Sequence, residues 1–125
     1  MKSLPSIIFA LLIVSVAVAQ QVALPINANP SVTLAWDPVQ NTTNSTIAHY
    51  SVYYGPASTL YTSFQPSLGT NTSLTISNLV RGSTYYFAAT ATDTNGLESD
   101  YSSEVSCTIP SPPPPPTVLR VITVN

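Results

Sequence analysis

Along residues 31–36 the side chains alternate: Val32, Leu34 and Trp36 fall on one face, Ser31, Thr33 and Ala35 on the other. A period of two marks a half-buried strand. The rhythm returns at residues 49–54, where Tyr50, Val52 and Tyr54 alternate with His49, Ser51 and Tyr53. It returns again at 85–92, with Tyr85, Phe87, Ala89 and Ala91 on one face and Tyr86, Ala88, Thr90 and Thr92 on the other. Weaker strands are expected at 22–26, at 60–65, around Leu74 and Ile76, and at 101–109. Pro25 confines the first of these to a sheet edge. Asn27-Ala28-Asn29-Pro30, Asp37-Pro38, Gly55-Pro56 and Asp93-Thr94-Asn95-Gly96 punctuate the strands with turn chemistry. About seven short strands between such turns predict an all-β fold, an antiparallel sandwich.

Two stretches break the rhythm. Met1-Lys2 is a short positive end, residues 7–18 are almost wholly apolar, and Ala17-Val18-Ala19 is a small-x-small site. These are the parts of a secretory leader, expected to be cut after Ala19 so that the mature chain starts at Gln20 and is secreted. The apolar run falls short of the ~20 residues a bilayer requires, so no stable membrane insertion is expected after cleavage. At the other end, residues 111–116 form a stiff polyproline linker; with Pro110 the spacer is roughly 20 Å long. A β-prone tail follows at 117–125, carrying Val118, Leu119, Val121, Ile122 and Val124 around a single charge, Arg120. The module itself is bounded at 20–110.

Charge narrows the function. Five acidic residues stand against three basic ones, and without Lys2 the balance of the mature chain is −3. Nothing there neutralises a run of phosphates, which excludes nucleic acid as a partner. Cys107 stands alone, so no internal disulfide is available. Its register with Val105 and Ile109 predicts a buried small apolar residue rather than a reactive thiol.

Leu79 precedes Tyr85 by six residues at a loop-to-strand corner, the place where a sandwich sets a tyrosine corner. The ring fills the core and the hydroxyl bonds back to the loop just left. Leu79, Tyr85 and Phe87, together with Trp36-Asp37-Pro38, Tyr50-Ser51-Val52-Tyr53-Tyr54-Gly55 and Glu98-Ser99-Asp100-Tyr101-Ser102, resemble the fibronectin type III family over residues 22–110. Arg81 and Ser83 depart from that family's corner, which carries Pro and Thr there. The resemblance implies an immunoglobulin-like sandwich with Trp36, Leu79, Tyr85 and Phe87 in its core. It is nearest to repeats of secreted bacterial proteins, and it implies a binding or spacing role beside carbohydrate-degrading or cell-surface domains.

Candidate chemistry is sparse. A Cys107–His49 dyad fails because the two alternate to opposite faces, and no nucleophile elbow, zincin or phosphate-loop motif occurs. No enzyme, cofactor or metal site is expected. The carboxylates of Asp93, Glu98 and Asp100 gather on a hairpin whose Gly96 is misplaced for a calcium loop, so a solvated tip is the plainer reading. The outer sheet face offers Tyr53 with Tyr86 as cross-strand neighbours, extended by Tyr61 and Phe64. Such a patch stacks on sugar rings or docks an extracellular protein; its plainer role is to stabilise the sheet. The tail admits three readings: a disordered end, the first strand of a truncated second repeat, or a strand added to another molecule, giving weak self-association. The alternatives to a binding or spacing module are thus a subunit of an extracellular assembly and an accessory module of a glycan-degrading system.

Overall fold

A computed structural model describes residues 29–125 and, as backbone only, residues 12–16. Seven strands form two antiparallel sheets: β1 (Leu12–Val16), β2 (Val32–Trp36) and β5 (Ser73–Ile76) in one, and β4 (Ser63–Pro66), β3 (Ile47–Gly55), β6 (Thr84–Asp93) and β7 (Val105–Thr108) in the other. The sheets face each other across the residues that the alternation placed inward. Val32, Leu34 and Trp36 of β2 meet Tyr50 and Val52 of β3 and Phe87, Ala89 and Ala91 of β6, all buried, with Ile76, Leu79 and Ile109 closing the ends. Trp36 packs edge-on against Tyr50 with ring centroids 5.4 Å apart. The Tyr50 hydroxyl in turn accepts the backbone N–H of Val39 at 2.9 Å, pinning the loop after β2.

The corner behaves as its spacing requires. Tyr85 lies against the core, and its hydroxyl accepts the Val80 N–H at 3.1 Å. Gly82, at φ +77°, turns the chain there, and its N–H bonds the Ile109 carbonyl at 2.7 Å. No other residue type takes that backbone as readily.

The first strand, the last strand and the burial of one residue differ from expectation. The strand expected at 22–26 lies outside the described residues; its edge is taken by Leu12–Val16, which pairs with β2 from Leu12↔Trp36 to Val16↔Val32. Those five residues sit within the stretch read as a leader, and a run of Leu, Ile and Val suits an edge strand as well as it suits an apolar leader core. The last strand is shorter than 101–109 because serine side chains replace ladder carbonyls. Ser99 and Ser102 accept the N–H groups of Ala91 and Ala89 through Oγ, both at 2.9 Å, and return their own N–H to the same residues. The chain over 98–104 therefore lies against β6 without regular pairing. Finally, Cys107 is half-buried rather than buried, and partial burial raises its thiol pKa.

Candidate binding face

The outer face of the four-stranded sheet is built by register. Tyr53 of β3 stands opposite Phe64 of β4, and the two rings stack at 5.3 Å. Tyr101, from the segment held to β6 by Ser99 and Ser102, meets Tyr53 edge-on at 5.1 Å and Tyr61 edge-on at 5.0 Å. The result is a continuous ledge, Phe64–Tyr53–Tyr101–Tyr61, in which Phe64 is 61% and Tyr101 53% exposed. Tyr53 and Tyr61 are partly buried, so Phe64 and Tyr101 present most of the open surface.

Three of the four aromatic residues expected on this face are thus brought together, and one is not. Across β3, Tyr53 is opposite Ala88, whereas Tyr86 is opposite Gly55. The two tyrosines share a face but are offset by two residues, so they are diagonal neighbours rather than the directly opposed pair expected. Tyr101 takes the position instead. Alternation alone did not reveal it, because Tyr101 lies on irregular chain; the signal was the serine pair spaced to strap that chain onto β6.

Carboxylates anchor the ledge from below. Glu98 Oε1 accepts the Tyr53 hydroxyl at 2.7 Å and the Thr90 hydroxyl at 2.6 Å. Glu104 Oε2 accepts the Tyr61 hydroxyl at 2.6 Å and the Thr59 N–H at 2.8 Å. That second bond holds Thr59 at φ +60°, a conformation a β-branched residue avoids. Burial first, then the Glu98 carboxylate, pushes the Tyr53 pKa up to about 12. Tyr61 is raised for the same reasons with Glu104 as its partner, and Glu104 is lowered chiefly by the Tyr61 hydroxyl and the Thr59 N–H. Tyr53 and Tyr101 line a pocket of about 280 Å³ together with Thr90, Glu98, Ser99 and Asp100. Its chemistry is aromatic walls with acidic ends, fit for stacking and for a cationic group.

The hairpin tip is self-satisfied. Asp93 Oδ1 accepts the N–H groups of Asn95 and Leu97, both at 2.9 Å, and Ser45 Oγ donates to Oδ2 at 3.3 Å. These bonds, the Leu97 N–H foremost, lower the Asp93 pKa. Gly96 at φ +82° closes the loop. Among the described residues no group of three or more His, Cys, Asp or Glu gathers as metal ligands. His49 lies opposite Thr92 and Cys107 opposite Tyr85, at opposite ends of β6 and on opposite faces. The tail forms no strand, and Val118, Leu119, Val121, Ile122 and Val124 are all exposed.

Among curated proteins, none matches the sequence. Solved structures do resemble the fold. The third fibronectin III domain of human KIAA0343 protein is 16% identical at a TM-score of 0.58, over 93% of this chain and 91% of that one. The FN1–FN3 domains of chicken CNTN1 are 16% identical at 0.59, over 86% of this chain and 32% of that one. A β-1,2-glucanase from Parabacteroides distasonis is 23% identical at 0.51, over 66% of this chain and 11% of its own. At these identities the likeness is one of fold. The sequence itself matches the fibronectin type III domain over residues 17–108, which covers both sheets from β2 to β7, and the chain therefore belongs to the fibronectin type III family.

Proposed function

We propose that this chain is a secreted, non-catalytic module that binds or spaces components outside the cell, touching an extracellular protein or polysaccharide. The observation that carries the proposal is the ledge of Phe64, Tyr53, Tyr101 and Tyr61, with Phe64 and Tyr101 exposed. A row of packed aromatic rings on a sheet supplies contact area without the ordering cost of flexible side chains. An accessory role beside a glycan-degrading enzyme draws support from the glucanase, 11% of which the likeness covers.

Two measurements test it. The medium of expressing cells should contain a chain whose first residue is Gln20; an uncleaved chain retained in membranes refutes secretion. Capture on a panel of insoluble polysaccharides, wild type beside Phe64→Ala, assigns a carbohydrate role if the wild type is retained and the variant is released. Equal retention of both removes the ledge from that role. A second reading, a subunit of an extracellular assembly, is favoured by the tail, whose Leu119 and Ile122 are 96% and 94% exposed.

A further inference from the structure

The tail and the pocket complement each other. In an extended segment, residues 118, 120 and 122 share one face, at about 7 Å spacing. Val118 and Ile122 then flank Arg120 as two apolar shoulders around one cation. The pocket offers the reverse pattern: Glu98 and Asp100 line it beside Tyr53 and Tyr101, and exposed Phe64 stacks on Tyr53 next to it. Both hydrogen bonds to Glu98 fall on Oε1, which leaves Oε2 for a further donor. Among the described residues no hydrogen bond holds the Asp100 side chain, and the whole chain is short of cations, with three basic residues.

The tail's point of departure decides whose pocket it meets. Strand β7 ends at Thr108 opposite Thr84, and the N–H of Ile109 is fixed to the Ser83 carbonyl at 2.9 Å. Thr90, at the pocket, lies six residues further along β6, roughly 20 Å away. A polyproline spacer of about that length does not fold back on itself. The tail in the structure accordingly lies open, with no strand partner in its own chain among the described residues.

We propose that the pocket lined by Tyr53 and Tyr101 is the receptor for the tail, residues 117–125, of a second copy of this chain, with Arg120 between Glu98 and Asp100. The guanidinium lies over tyrosine faces and pairs with two carboxylates, while Val118 and Ile122 cover the exposed aromatic edges. Each copy carries one tail and one pocket, so the contact is head-to-tail: two copies that exchange tails close, as does a ring, and otherwise the array stays open. This rests on the reading of the ledge as a contact face and names its occupant.

Asp100 is exposed, and among the described residues its side chain is unbonded, so its charge is reversible without disturbing the fold. Sedimentation of the protein recovered from expressing cells, from low to high micromolar, should show size rising with concentration. Arg120→Asp and Asp100→Arg should each weaken association about tenfold or more, as expected for removal of a charge pair. The double variant, which restores opposite charges, should recover most of it. Monomers at every concentration overturn the proposal, as does association unchanged in Arg120→Asp or a double variant no better than its parents. Polysaccharide retention by Arg120→Asp keeps the two readings apart, since the ledge can carry sugar with the tail disabled.

Discussion

Two aromatic residues show how much of the fold single positions hold. Trp36 is 4% exposed and touches Tyr50 across the core, so Trp36→Ala should cost about 3–5 kcal/mol in chemical denaturation, a large share of the ~5–15 kcal/mol available to a domain. Without a disulfide in reserve, that variant should be mostly unfolded near body temperature; a loss below about 1 kcal/mol, the scale of a surface change, would remove Trp36 from the core. Tyr85→Phe deletes only the hydroxyl that accepts the Val80 N–H and should cost about 1 kcal/mol. Tyr86→Phe should be near neutral, and equal effects in the two variants would refute the corner. Both positions were legible in the sequence because a fixed spacing, Leu79 to Tyr85, or a clean alternation, Val32 to Trp36, encodes them locally. Tyr101 was not, since its place depends on two serines that bond across to β6.

Elements were legible where burial imposes a period and less so where the chain is exposed. Strands β2, β3 and β6 fell where alternation placed them, because a one-residue slip would turn their core faces to water. Strand β4 is exposed throughout, so nothing in its hydrophobic pattern fixes its ends; it runs over Ser63–Pro66 rather than 60–65. Gly55, the last residue of β3, has a firmer constraint that its place before Pro56 only hinted at. A Cβ there would run into the backbone carbonyl oxygen of Leu60, in the loop that carries Tyr61 to the ledge. Gly55→Ala should therefore destabilise by about 1–3 kcal/mol through overpacking against backbone. It should also disturb the ledge, seen as an altered near-ultraviolet tyrosine signal; an unchanged midpoint and spectrum would mean that the loop simply moves aside.

For the molecule as a whole, the same hydrogen bonds that order the loops set the limits of pH. Asp93 and Glu104 have pKa values lowered in the folded state, so the stability they contribute is complete above the ordinary carboxylate range and is lost as pH falls through it and below. Tyr53 is raised to about 12, and Tyr61 is raised as well, so their contribution is complete below about 10 and is lost as pH climbs beyond. Thermal midpoints should accordingly form a plateau between those limits. Asp93→Asn should soften the acid fall and Tyr61→Phe the alkaline one; slopes that ignore both substitutions would refute the assignment. The sheet architecture was read from the sequence almost whole, whereas the pocket was not, because its walls come from β3, β6 and irregular chain that meet only after folding.

Strand β1 has a consequence for timing. Leu12–Val16 holds a five-residue register on β2, inside the stretch that carries the leader signature. A precursor that folds before it is exported would clamp its own address label into the sheet, and a translocase would have to unzip that strand first. On the secretion proposed above, export would be a race between the ribosome's product closing its sheet and the secretion machinery seizing the free end. Slowing the fold by weakening β2, as in Leu34→Ala, should speed processing of the precursor in a pulse-chase, an outcome opposite to the usual penalty for a damaged core.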